Sequence, residues 1–370
     1  MSLLKKCVVA SLAATAVYAA IVILLSFSAP QRLMIYLHWI KVPLPAKFAM
    51  PEYYGFAHNQ IRNFQITTAD NITLGAWHMI PTDYFTRHQL RYRETLASND
   101  TLYDDALADP KFDTVIYFHG NAMHRAAPWR TDLYKRLGDK FGKLNIVAVD
   151  YRGFGDSEGT PFEEGLYRDA RATLQWLQER NVPAHRISLI GHSLGTGVAT
   201  CLAYEMTQAG SPPRALILKA AYSSLPNIIF EFPIVKYVPI LSPLRAFPPL
   251  QDWVLSKLLH TFDTLSRIEH LECPILIAYG SADLKIPGHN SQLLFHRAVF
   301  GAVGSPFTKD WVEQDNDTID RQVITNEATV YRSKHKPNIR LVKLHHADHN
   351  NVNYYDYLFE SMADTAGWKR

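Results

Sequence analysis

The most regular feature of the amino-acid sequence is the way long apolar stretches alternate with polar ones. Residues 7–31 carry no charged side chain, and an apolar run of this length can cross a bilayer as a helix. We therefore predict a short N-terminal tail at residues 1–6 and a transmembrane anchor at residues 7–28. A cleaved signal peptide is the alternative, because Ser26 and Ser28 are small residues at suitable positions before Ala29.

Residues 29–60 are predicted to form a juxtamembrane segment. The part at 32–50 is rich in apolar and aromatic side chains, and it includes Trp39 together with Lys41 and Lys47. Tryptophan rings and snorkelling lysines are typical of a membrane interface. A strand or helix docked on the following domain would give the same pattern, so both interpretations stay open.

From residue 61 onward, short apolar strands alternate with segments of helical length. Two strands joined by a turn at Asp70 and Asn71 predict a β-hairpin. Near-continuously apolar strands separated by helices predict a mostly parallel sheet with helices on both faces, and we assign residues 61–370 to this α/β domain. The predicted strands are 63–67, 72–80, 114–118, 144–149, 186–190, 215–219, 275–279 and 339–344, and helices are predicted near 129–141, 162–180, 291–299 and beyond 353.

Three segments interrupt this alternation. Residues 221–272 contain a proline-rich apolar stretch, which predicts a cap or lid insertion, with a plain helical cap packed on the core as the alternative. Residues 81–112 and 304–336 are polar and show no periodicity, so we predict that both are surface insertions.

Composition narrows the possible functions. The 370 residues carry a formal net charge of only +3 without a dense basic run, which gives no indication of a nucleic-acid partner. The three cysteines, Cys7, Cys201 and Cys273, are too few and too scattered to predict a disulfide framework or a zinc site. We therefore expect no metal and no cofactor.

The candidate chemistry begins at residues 187–199, which read ISLIGHSLGTGVA. This is an apolar strand, a serine flanked by glycines in the pattern G-x-S-x-G, and the small-residue start of a helix. In that context the pattern is typical of a nucleophile elbow, in which the turn presents the serine at its tip. We predict that Ser193 is a nucleophile, and a glycine-rich structural turn is the alternative.

A serine needs a general base and a group that orients the base, and in α/β-hydrolases the chain order is serine, acid, histidine. Asp283 follows the strand at 275–279 and lies at the sheet edge where α/β sites form, so we predict that it is the acid. Its alternative is an ordinary turn or capping aspartate. After the last strand, His349 is the predicted base, with His346 as the alternative, and Asp348 is interpreted as a capping residue.

The oxyanion donors are predicted to be the backbone N–H groups of Leu194, directly after the nucleophile, and of Asn121, in the loop after the strand at 114–118. His119 in the same loop is interpreted as a supporting residue. The acidic and glycine-rich run at residues 150–159 precedes the nucleophile, which is the wrong order for the acid, so we interpret it as shaping a loop.

These motifs resemble those of the membrane-anchored α/β-hydrolase-domain serine hydrolases, the family that includes lysophosphatidylserine and monoacylglycerol lipases. The resemblance rests on His-Gly-Asn-Ala at 119–122, Asp-Tyr-Arg-Gly at 150–153 and the elbow at 191–200. It implies an α/β-hydrolase fold and the same assignment of Ser193, Asp283 and His349. It also implies an endoplasmic-reticulum membrane protein with a lumenal catalytic domain.

We therefore expect a single-pass membrane serine hydrolase that cleaves acyl esters of lysophospholipids or monoacylglycerols; the sequence identifies no protein partner. A peptidase or acyl-protein thioesterase with the same triad, and a non-catalytic binding protein of the same fold, are the alternatives. N-glycosylation sequons at Asn71, Asn99 and Asn316 would be usable in a lumen.

Overall fold

The structure is a computed structural model that describes residues 2–233, 239–301, 311–315 and 317–369. The elements alternate between helix and strand through most of this length. In chain order they are α1 (Leu3–Leu24), α2 (Ser28–Tyr36), β1 (Ile61–Thr67), β2 (Thr73–Met79), α3 (Thr82–Arg87), α4 (Thr101–Ala108), β3 (Asp113–Phe118), α5 (Pro128–Phe141), β4 (Leu144–Val149), α6 (Glu163–Gln178), β5 (Ile187–His192), α7 (Leu194–Gln208), β6 (Ala215–Lys219), α8 (Leu225–Ile228), α9 (Pro248–Ser256), α10 (Leu265–Ile268), β7 (Ile275–Gly280), α11 (His289–Phe300), α12 (Trp311–Gln314), β8 (Ile319–Ile324), β9 (Ala328–Ser333), β10 (Ile339–Leu344) and α13 (Asp356–Ala366).

The described strands form one sheet in the order β1-β2-β4-β3-β5-β6-β7-β10-β9-β8. The six neighbouring strands β4, β3, β5, β6, β7 and β10 run parallel to one another. At one edge β2 pairs antiparallel with β4 and β1 with β2, and at the other edge β9 pairs antiparallel with β10 and β8 with β9. All residues of β4, β5, β6 and β7 are buried, because helices cover both faces of the sheet. The predicted α/β-hydrolase fold, with its hairpin at β1 and β2, is confirmed.

The N-terminal helix α1 begins at Leu3 and ends at Leu24, so it starts before the predicted anchor at 7–28 and ends earlier. It is long and apolar enough to cross a membrane, and Val22 is its one buried residue. Helix α2 then docks on the domain through Gln31 and Tyr36, which are buried. Leu33 stays exposed. Helix α2 therefore packs on the domain with one face, as expected from one of the two interpretations of residues 32–50.

Two of the predicted insertions contain secondary structure that their sequences did not indicate. Residues 81–112 form the short helices α3 and α4 around a small apolar cluster of their own, which includes Tyr84, Leu90 and Phe112. Within 304–336, strands β8 and β9 extend the central sheet. The described elements of both segments are short, so neither segment gives a long periodic pattern.

Candidate active site

Ser193 lies at the sharp turn between β5 and α7, with φ +53° and ψ −121°. This conformation is costly for a residue with a side chain. A Cβ atom at Gly195 would lie 2.1 Å from the carbonyl oxygen of Phe118, and one at Gly191 would lie 2.6 Å from the carbonyl oxygen of Gly195. The two glycines are therefore required for the strand and helix to approach this closely, and the turn holds the Ser193 hydroxyl at the carboxyl edge of the sheet.

The structure brings Ser193, His349 and Asp283 together. His349 Nε2 lies 3.0 Å from Ser193 Oγ, and His349 Nδ1 lies 2.8 Å from Asp283 Oδ2. All three residues are buried. A carboxylate on Nδ1 leaves Nε2 free to accept the proton of the serine, so the arrangement can activate Ser193.

Hydrogen bonds to backbone groups hold the predicted acid and the predicted base in place. Asp283 Oδ1 accepts hydrogen bonds from the amides of Lys285 (2.8 Å) and Ile286 (3.0 Å), which leaves Oδ2 to face the histidine. His192 Nε2 lies 2.9 Å from the carbonyl oxygen of His349, and that oxygen only accepts, so His192 donates from Nε2. Burial holds the pKa of His192 well below its usual range, which keeps this ring neutral.

The other histidine and acid considered from the sequence lie in supporting positions. His346 is exposed, and its amide donates to Ser281 Oγ. Asp348 accepts from the amides of Asn350 and Asn351 and so caps the loop. Neither contacts Ser193 in the described part of the chain.

The two predicted oxyanion donors, the amides of Asn121 and Leu194, belong to residues that line the same cavity as Ser193. Leu194 is the first residue of α7, where an amide has no acceptor within its own helix. The loop that carries Asn121 contains Ala122 and Met123, both with φ +58°. Their amides donate to the carbonyl oxygens of Tyr36 (2.8 Å) and Ile40 (2.7 Å), so the segment after α1 holds this loop.

A cluster of charged side chains around the buried Arg125 supports the same loop. Arg125 is fully buried, and its Nη1 lies 2.6 Å from Asp150 Oδ2 and 2.6 Å from Asp156 Oδ1. His119 Nε2 lies 3.3 Å from Asp150 Oδ1, and Arg130 Nη2 donates to the carbonyl oxygens of Gly120 and Ala122. The run at 150–159 thus shapes the loop. The sequence alone did not identify the two arginines, because nothing in the local pattern shows that their charges are buried.

Lys219 is a second residue that the sequence did not identify. Its Nζ lies 2.6 Å from Asn353 Oδ1, just beyond the His349 loop, and its carbonyl oxygen accepts from the amide of Ser193 at 3.0 Å. Burial lowers the pKa of Lys219 to about 7. This side chain sits at the end of the apolar strand β6, where its position alone gives no sign that it is buried.

Two cavities meet at Ser193. The first is lined almost entirely by apolar side chains from α1, α2 and the 221–272 insertion. The second is more polar and reaches Lys285, Asn350 and His349. In the described part of the chain, no group of three or more His, Cys, Asp or Glu residues is placed to hold a metal ion.

Residues 115–350 match the sequence model of the alpha/beta hydrolase family. The chain belongs to this family. Solved structures agree on the fold: the Pyrococcus furiosus esterase Pf2001 superposes with a TM-score of 0.54 at 17% identity, covering 89% of this chain and 95% of that one.

Within the alpha/beta hydrolases, the chain is similar to lysophosphatidylserine lipase ABHD12 of Rattus norvegicus, with 32% identity over 271 residues, 72% of this chain. It is also similar to human protein ABHD12B, with 33% identity over 267 residues, which covers 72% of this chain and 69% of the human protein. The match to the rat lipase spans 63% of that protein's length.

Proposed function

We propose that this chain is a membrane-anchored serine hydrolase that cleaves acyl esters of lysophospholipids, such as lysophosphatidylserine, or of monoacylglycerols. The observation that carries the proposal is the line of hydrogen bonds from Ser193 Oγ through His349 to Asp283, located where an apolar cavity opens. The names of the relatives support the lipid substrate.

In the proposed first step, His349 Nε2 takes the proton of Ser193 as Oγ attacks the ester carbonyl. Asp283 Oδ2 accepts from Nδ1–H and stabilises the imidazolium. The amides of Asn121 and Leu194 donate to the oxyanion, which is the largest electrostatic contribution in this kind of reaction.

In the second step, His349 returns the proton to the leaving alcohol, which carries the head group, and the acyl chain stays on Ser193. Water then attacks the acyl-enzyme with His349 again as base, and the fatty acid leaves. The chemistry requires no group beyond these residues.

The insertion at 221–272 supports a lipid substrate. Leu225, Ile228, Ile229 and Phe232 line the apolar cavity beside Ser193, as does Leu241. We propose that the described part of residues 225–244 forms the wall of an acyl-chain pocket; residues 234–238 lie outside the described residues. A peptidase would not need a wall of this composition, whereas an acyl-protein thioesterase would bind an acyl chain in the same way, so substrate profiling must distinguish the ester from the thioester.

We also propose a single-pass topology in the endoplasmic reticulum with a lumenal catalytic domain. Asn71 and Asn99 are exposed, so their sequons are accessible to glycosylation, and Asn316 lies outside the described residues. Digestion of a membrane preparation with an endoglycosidase should increase the electrophoretic mobility of the protein. Unchanged mobility would contradict the lumenal orientation.

The hydrolase proposal is tested with a fluorophosphonate probe and with lipid substrates on the full-length chain in detergent or vesicles. We expect labelling and hydrolysis by the wild type and neither by Ser193→Ala. Ser211→Ala is the matched control, because it removes an exposed serine hydroxyl in the loop after α7. Equal labelling of Ser193→Ala, or an unlabelled wild type, would exclude Ser193 as nucleophile.

A further inference from the structure

The outer wall of the apolar cavity is made by the N-terminal helices and not by the catalytic domain alone. Val22 and Leu25, at the end of α1, line it together with Met34 and Ile35 of α2. Trp253 and Val254 of α9 complete the wall on the other side. One continuous cavity therefore connects Ser193 to the end of the apolar helix.

The end of α1 is packed against the insertion. Val22 belongs to an apolar cluster with Phe230, Leu241 and Leu244. The hydroxyl of Tyr18 donates to the carbonyl oxygen of Ile240 at 2.9 Å. These contacts give the last turns of α1 a defined place at the cavity.

The side chain of Gln31 joins α2 to the end of α9. Its Nε2 donates to the carbonyl oxygen of Lys257 at 2.6 Å, and its Oε1 accepts from the amide of Leu259 at 3.1 Å. Both polar ends of this buried side chain are satisfied. The cavity wall is thus held by specific hydrogen bonds as well as by apolar packing.

Helices α2 and α9, which line the cavity, also carry exposed apolar side chains. No residue of the described helix α9 is buried, and Phe247 and Leu250 are 57% and 49% exposed. Leu33 on α2 and Trp39 after it are also exposed. Apolar and tryptophan side chains are favoured where protein meets the acyl and head-group region of a bilayer.

The length of α1 matches the thickness of a membrane core. Its 22 residues span about 33 Å, close to the roughly 30 Å of a hydrocarbon core. Val22 is near one end of that span, so when α1 spans a membrane the cavity that Val22 lines lies toward one edge of the hydrocarbon core.

We propose that the end of the membrane helix is part of the substrate site, and that the acyl chain of a membrane lipid enters the cavity directly from the bilayer between α1 and α9. This inference rests on the proposed lipid-ester hydrolase function. The acyl chain then lies along Val22, Leu25 and Ile35, its ester reaches Ser193, and the head group occupies the more polar cavity beside Lys285.

The first test changes the chain-length preference. Val22→Trp fills the cavity wall, so the ratio of kcat/KM for oleoyl-glycerol to kcat/KM for a butanoyl ester should fall by about tenfold or more, because an overfilled apolar site rejects the longer chain. Val17→Trp is the matched control, because Val17 is 61% exposed on the same helix, and it should keep the wild-type ratio. An unchanged ratio in Val22→Trp, or an equal fall in both variants, would overturn the inference.

The second test is independent of catalysis. The full-length Ser193→Ala chain, reconstituted in phosphatidylcholine vesicles, is irradiated with an ether analogue of monoacylglycerol that carries a diazirine at the end of its alkyl chain. We expect cross-links to peptides of α1 and α9 that disappear with excess unlabelled ether lipid. Displaceable cross-links confined to other segments, or none, would overturn the inference. Failure of the proposed function would instead appear as a wild type that hydrolyses neither ester.

Discussion

Replacing Asp283 with asparagine tests the orientation of His349 with nearly no change of shape. In the native structure Asp283 Oδ1 accepts from two backbone amides, those of Lys285 and Ile286, while Oδ2 faces His349 Nδ1 at 2.8 Å. The asparagine has one acceptor oxygen, which can face either the two backbone amides or His349 Nδ1. We expect the oxygen to stay with the amides and the NH2 group to face the histidine.

An NH2 group at that place forces His349 to accept at Nδ1 and to carry its proton on Nε2. The ring then presents a proton to Ser193, from which Nε2 lies 3.0 Å, and cannot act as a base. The expected loss in kcat is about 10⁴-fold, the size associated with the wrong tautomer. That loss corresponds to roughly 5 kcal/mol of transition-state stabilisation.

The assay is the hydrolysis of a monoacylglycerol by full-length protein in detergent, with labelling by a fluorophosphonate probe as a second readout. Asp348→Asn is the control, because Asp348 is an exposed carboxylate in the loop that carries His349. Asparagine at this position can still accept from the amides of Asn350 and Asn351. It should stay within a few-fold of the wild type. A loss below about tenfold in Asp283→Asn would refute the assignment of Asp283 as the orienting acid.

Two further predictions concern charges buried outside the reacting atoms. Arg125→Met should lower the free energy of unfolding by about 3–5 kcal/mol, because it leaves Asp150 buried without its guanidinium. Adding Asp150→Asn to Arg125→Met should recover part of this loss of stability. The control Arg171→Met, whose ion pairs are exposed, should lower the free energy of unfolding by less than about 1 kcal/mol. A loss in Arg125→Met as small as that in Arg171→Met would contradict the reasoning. The pKa of Lys219 is about 7 when folded and about 10.4 when unfolded, so between these values the unfolded chain binds more protons and the wild type gains stability as pH rises. Relative to Lys219→Met, this gain should have a slope of at most about 1.4 kcal/mol per pH unit, measured by thermal unfolding from pH 7 to 10, and a gain on acidification would refute it.

The sequence predicted the centre of the site because the rules that place it are local. A glycine on either side of Ser193 between an apolar strand and a helix is visible within nine residues. The ends of parallel strands meet at one edge, so Asp283 and His349, each following such a strand, were expected near Ser193 without any knowledge of tertiary contacts.

The parts that the sequence did not predict depend on contacts between distant segments. Val22 packs against Leu241, more than two hundred residues away, and nothing in the apolar run of α1 distinguishes Val22 from its neighbours. Lys219 and Arg125 follow no pattern either, since what makes each of them special is the burial of its charge. Tertiary burial of a single polar group leaves no periodic signal in the chain.

The two hydrogen bonds from Ala122 and Met123 to the carbonyl oxygens of Tyr36 and Ile40 determine how the protein can be shortened. A soluble version that begins after residue 45 would strip both acceptors from a loop whose residues already hold positive φ. One that begins at Ser28 would keep the loop intact but open the apolar cavity along its side. Because Val22 and Leu25 line the cavity, we expect that grafting a different N-terminal helix onto this domain would alter the substrates that the protein accepts before it altered the chemistry that it performs.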